Sequence, residues 1–566
     1  MGLTASLFIG RSALSSYQSA LQVVGNNIAN SATPGYSRLT PNLEGIPGLS
    51  ANGAQVGNGV RLAGVSRSVS EALLARLRTG TSDQSSAAAE RGGLTQLESI
   101  LDPLGDQNLG SLISDFFNTA GELQNNPQNR AARSGLINAG VALSEKIRDQ
   151  RRQLLDLRSQ ADSEIEQIAV DANDIAQKVA ALNLQITSTE AGGAQAGALR
   201  DQRDQLLSRL SEYFSITTRE QSNGSVSVYI GNESLVQNAT ARGIRAVKEP
   251  NAAGLNTTNI RFTDDNGPVP ALSGRVEGLV LARDQRVGGT LDKLQNLASA
   301  LIREVNKIHA GGQGLEGYAT TTGLGHVIDP TLALSAADNG LDFNPTSGSF
   351  FIDVKDLAGG TTQRYQINID LDGIGADSTL NSVAADISAN TPITATVTSD
   401  GRLRLTAPAG RTMSFADDTS GFLAAVGINT FFTGTDSADI AVSDAIQANP
   451  NLVAASKTGL AGDGSNATTL SKLQNLPVAL LGGSSLNEYY NAAVGDIAVT
   501  SSAAQAALDA TTTIVDSLGA QRESLSGVNV DEEAVNLIKY QRGFEGAARF
   551  MTVVDSMLQT LLGLIS

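Results

Sequence analysis

Apolar positions recur every seven residues at both ends of the chain. From Leu7 they run Leu7, Leu14, Leu21 and Ile28, with Tyr17 and Val24 at the intervening positions. At the other end Leu537, Phe544, Met551, Leu558 and Ile565 repeat at the same interval, with Tyr540, Ala547, Val554 and Leu561 between them. A seven-residue stripe keeps one apolar edge of a helix facing a partner, so it predicts coiled-coil seams. Two amphipathic helices on one globular core would give a similar pattern. The seam reading is preferred because chain ends tend to fray, whereas these ends carry the most regular apolar pattern in the sequence.

Between the two stripes the period changes several times. The first helix is expected to stop near Asn30, ahead of Thr33-Pro34-Gly35, and residues 36–70 read as short extended segments broken by glycine. From Leu94 to about Leu210 helical spacing dominates, with Ile165, Ile168, Ala172, Ile175, Val179, Leu182 and Ile186 on one face. Gly192-Gly193 breaks the run. Leu199 to Leu210 resumes it, with Arg200, Asp201, Arg203 and Asp204 assigned to the polar side. Alternation at Val226, Val228 and Ile230, and again over Ile260–Phe262, predicts strands. A helix over Thr290–His309 carries Leu291, Leu294, Leu297, Leu301 and Val305 and should stop at Gly311-Gly312.

Composition then shifts sharply. No Glu occurs between Gly317 and Asn487, and over 321–480 there are 16 Asp against seven Lys and Arg. Asp favours turns and Glu favours helix interiors, so a β-rich insertion is expected. Its strands are placed at Phe350–Val354, Arg364–Asp370, Ile393–Thr398 and Arg402–Thr406, with one short helix at Thr379–Ile387. Helix returns over Leu486–Leu525 and breaks at Ser526-Gly527. Asn529 and Asp531 are both candidate N-caps for the last helix, and Asp531, Glu532 and Glu533 suit its positive end. The fold class is therefore α+β and multidomain: terminal coiled-coil helices and a long helical rod domain with inserted β-rich domains. The expected division is a terminal helical domain (1–75 and 500–566), a helical rod domain (76–215, 286–325 and 456–499), a small β module (216–285) and the Asp-rich insertion (326–455).

Charge and chemistry narrow the function. A net charge of −17 over 566 residues argues against nucleic acid as a partner, which needs clustered Lys and Arg. There is no cysteine, which removes disulfides and thiolate chemistry. No apolar run reaches the ~20 residues of a membrane span, and the N-terminus does not read as a cleavable signal. Met1-Gly2-Leu3-Thr4-Ala5-Ser6 fits a loose myristoylation pattern, but the stripe beginning at Leu7 explains the segment better. Gly312-x-Gly314-x-x-Gly317 has dinucleotide spacing but follows a helix, so it reads as a helix stop. Asn368-x-Asp370-x-Asp372-Gly373 opens like a calcium loop yet has Thr379 where the bidentate Glu belongs, so it reads as a turn. His309, at a helix end, is expected to cap terminal carbonyls. The sequence argues against an enzyme: no catalytic, metal-binding or cofactor-binding residues are expected, and no cofactor.

Longer motifs sit at the two ends. The run from Ser6-Leu7-Phe8 through Asn26-Asn27-Ile28-Ala29-Asn30 and Pro34-Gly35-Tyr36-Ser37-Arg38 resembles the N-terminal signature of the bacterial flagellar rod, hook and hook-associated proteins. Val528-Asn529-Val530-Asp531-Glu532-Glu533-Ala534-Val535-Asn536-Leu537-Ile538, continuing to Gln541-Arg542, resembles the partner motif of that family. Within it, Phe116-Phe117, Leu123–Pro127, Arg133, Leu294–Ala298 and Val305–Ala310 are similar to the branch that forms the first hook–filament junction, as is, more weakly, Asn487–Tyr490.

This resemblance implies an extracellular structural subunit of the flagellum, exported unfolded through the type III channel without signal cleavage. Its implied partners are the hook protein, the second hook-associated junction protein, copies of itself in a ring, and an export chaperone before secretion, with no nucleic acid and no membrane. The assembly interface is assigned to Leu7, Leu14, Leu21, Val24, Ile28, Asn26, Asn27, Asn30, Pro34, Gly35 and Tyr36 at one end. At the other it is assigned to Leu537, Tyr540, Phe544, Met551, Val554, Leu558, Leu561 and Ile565. Residues 1–36 and 527–566 are expected to be mobile in the free protein and to fold on assembly. The alternatives are another axial protein (hook, distal rod or second junction protein), a secreted adhesin whose β lobe binds a ligand, and, more weakly, an enzymatic lobe at 326–455.

Overall fold

The computed structural model describes all residues except 1, 49, 52–53, 56, 103–104, 106, 193–194, 252–253 and 566, and leaves the side chains of 2, 50–51, 54–55 and 564–565 undescribed. Gly193 of the expected helix break and the Ile565 side chain therefore lie outside the described residues.

Thirteen α-helices are present among the described residues. In chain order they are α1 (Gly2–Ala29), α2 (Glu71–Leu101), α3 (Leu109–Asn125), α4 (Arg130–Glu190), α5 (Gly197–Tyr213), α6 (Arg275–Val280), α7 (Gly288–Ala310), α8 (Leu380–Asn390), α9 (Phe422–Ala425), α10 (Asp444–Ala448), α11 (Ser465–Lys472), α12 (Leu486–Ser526) and α13 (Val530–Ile565). The fold is mixed α and β, with several small antiparallel sheets. No helix among the described residues is long and apolar enough to cross a membrane. The chain divides into two compact units, one of residues 1–93, 159–283 and 502–566 and the other of 94–158 and 284–501.

The first unit contains both termini. An antiparallel hairpin, Leu39–Gly45 with Val60–Arg67, follows α1. The core is built where the later part of α4 meets a small β module. Ile165, Ile168, Ala172, Ile175, Val179 and Ile186 are buried and Leu182 is half-buried, so the periodic face read from the sequence is the packed face. It packs on Val226, Val228 and Ile230 of a four-stranded meander running from Ile216 to Ala241, and on Ile260 and Phe262 of the next hairpin. The polar side assigned to α5 needs correction: Asp201 and Arg203 are buried. Arg203 reaches inward to the Asn183 side chain (3.1 Å) and the Gly224 carbonyl (2.7 Å). A charged residue can face a core when backbone carbonyls and amides await it there.

In the second unit several of the residues that carried the branch resemblance form the interior. Phe116 and Phe117 of α3 pack edge to face, and Phe116 also meets Phe431 and Phe432. Arg133, almost fully buried, donates to the carbonyls of Pro127 (2.8 Å) and Val453 (2.5 Å). Burial lowers its pKa to about 10. Leu291, Leu294, Leu297, Leu301 and Val305 line the buried face of α7. His309, in the last turn of α7, does not cap that helix. Its Nδ1 donates to the Asn429 carbonyl (2.7 Å) and its Nε2 accepts from the Ala454 N–H (2.9 Å), which ties two distant loops together.

The insertion builds two three-stranded antiparallel sheets, one of them completed by a strand just ahead of it. In one, Gly348–Asp356 is central between Thr362–Ile369 and Arg411–Ala416; in the other, Leu403–Thr406 is central between Thr320–Thr322 and Thr394–Val397. Thr379 caps α8: its hydroxyl accepts from the Ser382 N–H in a reciprocal capping box. The Asp370–Asp377 segment folds onto its own backbone: Asp372 accepts from Ile374 N–H (2.8 Å) and Asp377 from Gly373 N–H (3.0 Å). The 312/314/317 glycines serve close packing, since a Cβ there would run into Asn466, the Asn451 carbonyl and the Met413 carbonyl respectively.

Candidate functional site

The two apolar stripes meet each other. α1 and α13 lie antiparallel: Gly10 sits against Met551 and Phe550, Gly543 against the Tyr17 ring, and Asn27 reaches Glu533. Moving forward along α1 thus moves the partner backward along α13. The two glycines fall where the opposing side chain needs the room a Cβ would occupy. Ala20, Val24 and Val554 are buried in this seam, and Leu7, Leu14, Leu21, Ile28, Tyr540, Phe544, Met551 and Leu558 are half-buried. Leu537 and Leu561 are exposed instead.

A second apolar line faces outward on α13: Val535, Ile538, Val553, Met557 and Leu561 are exposed, several by more than half. Phe550 and Leu562 are exposed as well, but Phe550 also touches Gly10 of α1. The stripe read from the sequence took in Leu561 but passed over the other residues of this outer line, which lie off its seven-residue register.

At one end of the helix pair a polar clasp joins the N-terminal and C-terminal motifs. α1 ends at Ala29, and the chain turns through Asn30–Gly35, with Gly35 at φ 79°, a left-handed conformation that glycine adopts without strain. Asn26 and Pro34 stay exposed, while Asn30, which donates to the Asn26 carbonyl (3.0 Å), holds the turn. The Pro34 carbonyl accepts from the Gln205 side chain (2.7 Å). The turn brings Tyr36 back onto α1, where its hydroxyl donates to Asn27 Oδ1 (2.9 Å). Asn27 is fully buried and uses both ends of its amide: Oδ1 also accepts from Leu39 N–H (2.9 Å), and Nδ2 donates to the Leu39 carbonyl (2.8 Å) and to Glu533 Oε2 (2.9 Å).

Glu533 is 1% exposed. Its other oxygen accepts from Arg38 Nε (2.9 Å), and Arg38 also pairs with Glu532 (2.9 Å). Asn529, not Asp531, caps α13: its Oδ1 accepts from the Asp531 N–H at 2.9 Å. The clasp continues into α5. Ser37 N–H donates to Asp201 (3.3 Å), Arg67 pairs with Asp201 (2.6 Å) and Asp204 (2.9 Å), and Arg78 pairs with Asp204 (3.0 Å). Burial opposes the charge on Arg67, but Asp204 and Asp201 outweigh it and its pKa is raised. Burial, with the negative charges of Asp201 and Glu533, pushes the Tyr36 phenol up to about 12.

Of the residues assigned from sequence, Asn27 and Tyr36 are clasp members, and the apolar set lines the seam except for Leu537 and Leu561, which are exposed, and Ile565, whose side chain is not described. Arg38, Glu532 and Glu533 lie inside the motifs but outside the assigned interface, Glu532 and Glu533 being read only as suiting the positive end of the last helix; the signal for a clasp is the opposite charge at the two ends of the chain. Arg67, Arg78, Asp201 and Asp204 had only a weaker one, two Asp three residues apart on one face of α5. The arrangement has the chemistry of a mechanical joint. It fastens the first forty residues to the last forty and leaves one apolar face uncovered.

Comparison with known proteins bears on the whole chain. Residues 94–324 match the model for the flagellar hook-associated protein FlgK helical domain. Residues 7–36 match the flagella basal body rod protein model, and 520–564 match the flagellar basal body rod FlgEFG protein C-terminal model. Flagellar hook-associated protein 1 of Salmonella typhimurium is 29% identical, with 98% of each chain covered. The proteins of the same name from Escherichia coli (26%) and Bacillus subtilis (25%) are also covered to 98% on both sides. The structure of the flagellar hook junction protein FlgK from Burkholderia pseudomallei shares the fold, with a TM-score of 0.50 at 17% identity over 80% of this chain and 100% of that one.

Proposed function

We propose, for a chain that belongs to the flagellar hook-associated protein 1 family and is a structural protein of the flagellar hook–filament junction, that the α1–α13 pair is the part by which it assembles. The observation that carries this reading is the outward apolar line of Val535, Ile538, Val553, Met557 and Leu561, left uncovered on a pair whose inner seam is already closed. Such a line is satisfied by burial against neighbouring subunits. The interface we propose comprises the seam and clasp residues from Leu7 to Tyr36 and from Leu537 to Ile565, with the outer line of α13 added.

On this reading the subunit lies between the hook protein and the second hook-associated protein, in a ring of its own copies. It reaches that place by export through the flagellar channel, met beforehand by a chaperone. No catalysis enters the reading: His309 is engaged at both ring nitrogens and the acidic turn at Asp370–Asp377 is bonded to its own backbone. A hook, distal-rod or second-junction protein, or an adhesin, is not favoured, since the relatives matched over 98% of the chain each bear the name flagellar hook-associated protein 1.

The test is truncation after Asp531, which removes nearly all of α13. Cells carrying the truncated chain should secrete it, complete their hooks and shed flagellin unpolymerised into the medium. Filaments of normal length on such cells would sink the proposal.

A further inference from the structure

Away from the terminal helices, a cavity of about 590 Å³ opens within the second unit along one flank of α7. Small-ligand sites span roughly 300–1,000 Å³, so this one is large enough for an organic molecule. Its charged lining is Arg303, Arg402, Asp342 and Asp439. The Arg303 guanidinium lies over the Phe343 ring, 4.7 Å from its centroid. Its Nε is buried without an acceptor, and Glu304 stands off at 3.8 Å, beyond hydrogen-bond length. Among the described residues, that guanidinium makes no hydrogen bond. Arg402 approaches Asp400 through Nε (3.2 Å), and its terminal nitrogens likewise donate to nothing among the described residues. A guanidinium presents five donors in a plane that matches a carboxylate. Two of them, both short of acceptors in one cavity, call for an oxyanion.

The acidic side is equally uneven. Asp439 is held by the N–H groups of Thr435 and Asp436 (2.8 and 3.1 Å). Asp342 makes no hydrogen bond among the described residues. Burial raises its pKa, and the like charges of Asp439 and Asp436 add to the effect, so a cation placed beside it would be favoured. Leu324 and Leu480, both more than two-fifths exposed, line the same cavity as Phe343.

We propose that this cavity binds a zwitterionic ligand of the α-amino-acid or short-peptide class. Arg303 and Arg402 hold its carboxylate, Asp342 its ammonium, and Leu324, Phe343 and Leu480 its apolar side chain. Two cations balanced by two carboxylates reject a polyanion such as a nucleotide, and they reward a ligand that carries one charge of each sign.

The experiment is calorimetric titration of the full chain with L-leucine and L-leucyl-L-leucine, beside N-acetyl-L-leucine and L-leucine methyl ester, each of which lacks one of the charges. The zwitterions should bind at least tenfold more tightly than either blocked compound. Arg402→Gln and Asp342→Asn, both at the cavity surface, should each weaken zwitterion binding tenfold or more while melting as the unaltered chain does. If neither zwitterion saturates the protein at millimolar concentration, the proposal fails. Equal binding of the blocked compounds, or unchanged affinity in both melting-competent variants, would overturn it as well.

Discussion

A buried carboxylate is tolerable only while its oxygens are occupied. Glu533 divides its two among Asn27, Arg38 and Asn536 (2.9, 2.9 and 3.2 Å). Breaking a buried pair from one side costs about 3–5 kcal/mol, and Arg38 keeps a quarter of its side chain in water, so Glu533→Ala should cost less, about 2–4 kcal/mol. Glu533→Gln retains one acceptor and should lose less again. Leu537→Ala, at an exposed site on the same helix, is the control and should stay within about 1 kcal/mol. Urea denaturation of the three variants checks the order, and equal losses for Glu533→Ala and Leu537→Ala would remove the clasp from the account. His309 gives a second residue-scale prediction. Burial, with the nearby Arg133 charge adding, lowers its pKa from 6.5 to about 4. The folded state therefore favours the neutral ring, and between pH 6.5 and 4 the unfolded chain binds the proton first. Stability from this group is complete above pH 6.5 and falls as pH drops, by up to roughly 3 kcal/mol near pH 4. Melting curves of the chain and of His309→Gln across that range should converge as the pH is lowered. A constant gap between them would show that the imidazole does not titrate with folding.

At the scale of the element, the register of α1 on α13 is open to a direct measurement because the chain has no cysteine of its own. Gly10 faces Met551, so the double variant Gly10→Cys, Met551→Cys should close an intramolecular disulfide on mild oxidation. Gly10→Cys with Tyr540→Cys, eleven residues further back along α13, should not. Mobility on non-reducing gels distinguishes the two, and a parallel or shifted pairing would reverse the result. What made these helices legible was strong periodicity. α2 shows the opposite case, since the expected helical rod domain starts at 76 on no periodicity and helical spacing is read only from Leu94, whereas the helix begins at Glu71. Its buried positions Leu74, Arg78, Ser82 and Ser86 fall every four residues, a helical face built of a cation and two hydroxyls. An apolar count cannot see such a face, because its partners are the Asp204 carboxylate and the Glu277 side chain, which belong to distant parts of the chain. The strand Arg411–Ala416 escaped for a related reason: only Met413 and Phe415 alternate inward there, too short a pattern to separate from a loop.

At the scale of the whole molecule, the compositional change near residue 320 located a β-rich insertion correctly in kind, since loss of Glu and gain of Asp follow the loss of helix. Composition is silent on packing, however, and the packing decides whether residues 326–455 can be lifted out. Near the end of that span, Asn306 of α7 accepts from the N–H groups of Phe431 and Phe432 (3.0 and 2.9 Å). Phe431 stacks edge to face on both Phe116 and His309. The Val453 carbonyl is an acceptor for buried Arg133, and the Ala454 N–H is the donor to His309. Excising 326–455 would thus strip two fully buried phenylalanines, at about 3–5 kcal/mol each, leave Asn306 and His309 without these partners, and leave Arg133 with the Pro127 carbonyl alone, all in a place closed to water. Losses of that size, with the unpaired polar groups added, are as large as the whole stability of an ordinary domain, about 5–15 kcal/mol. Calorimetry of the excised chain should therefore lack a cooperative transition for the second unit. A lobe that came away and left a sharp second transition intact would show that α3 and α7 hold together without Phe431, Phe432 and the loops that reach Arg133 and His309.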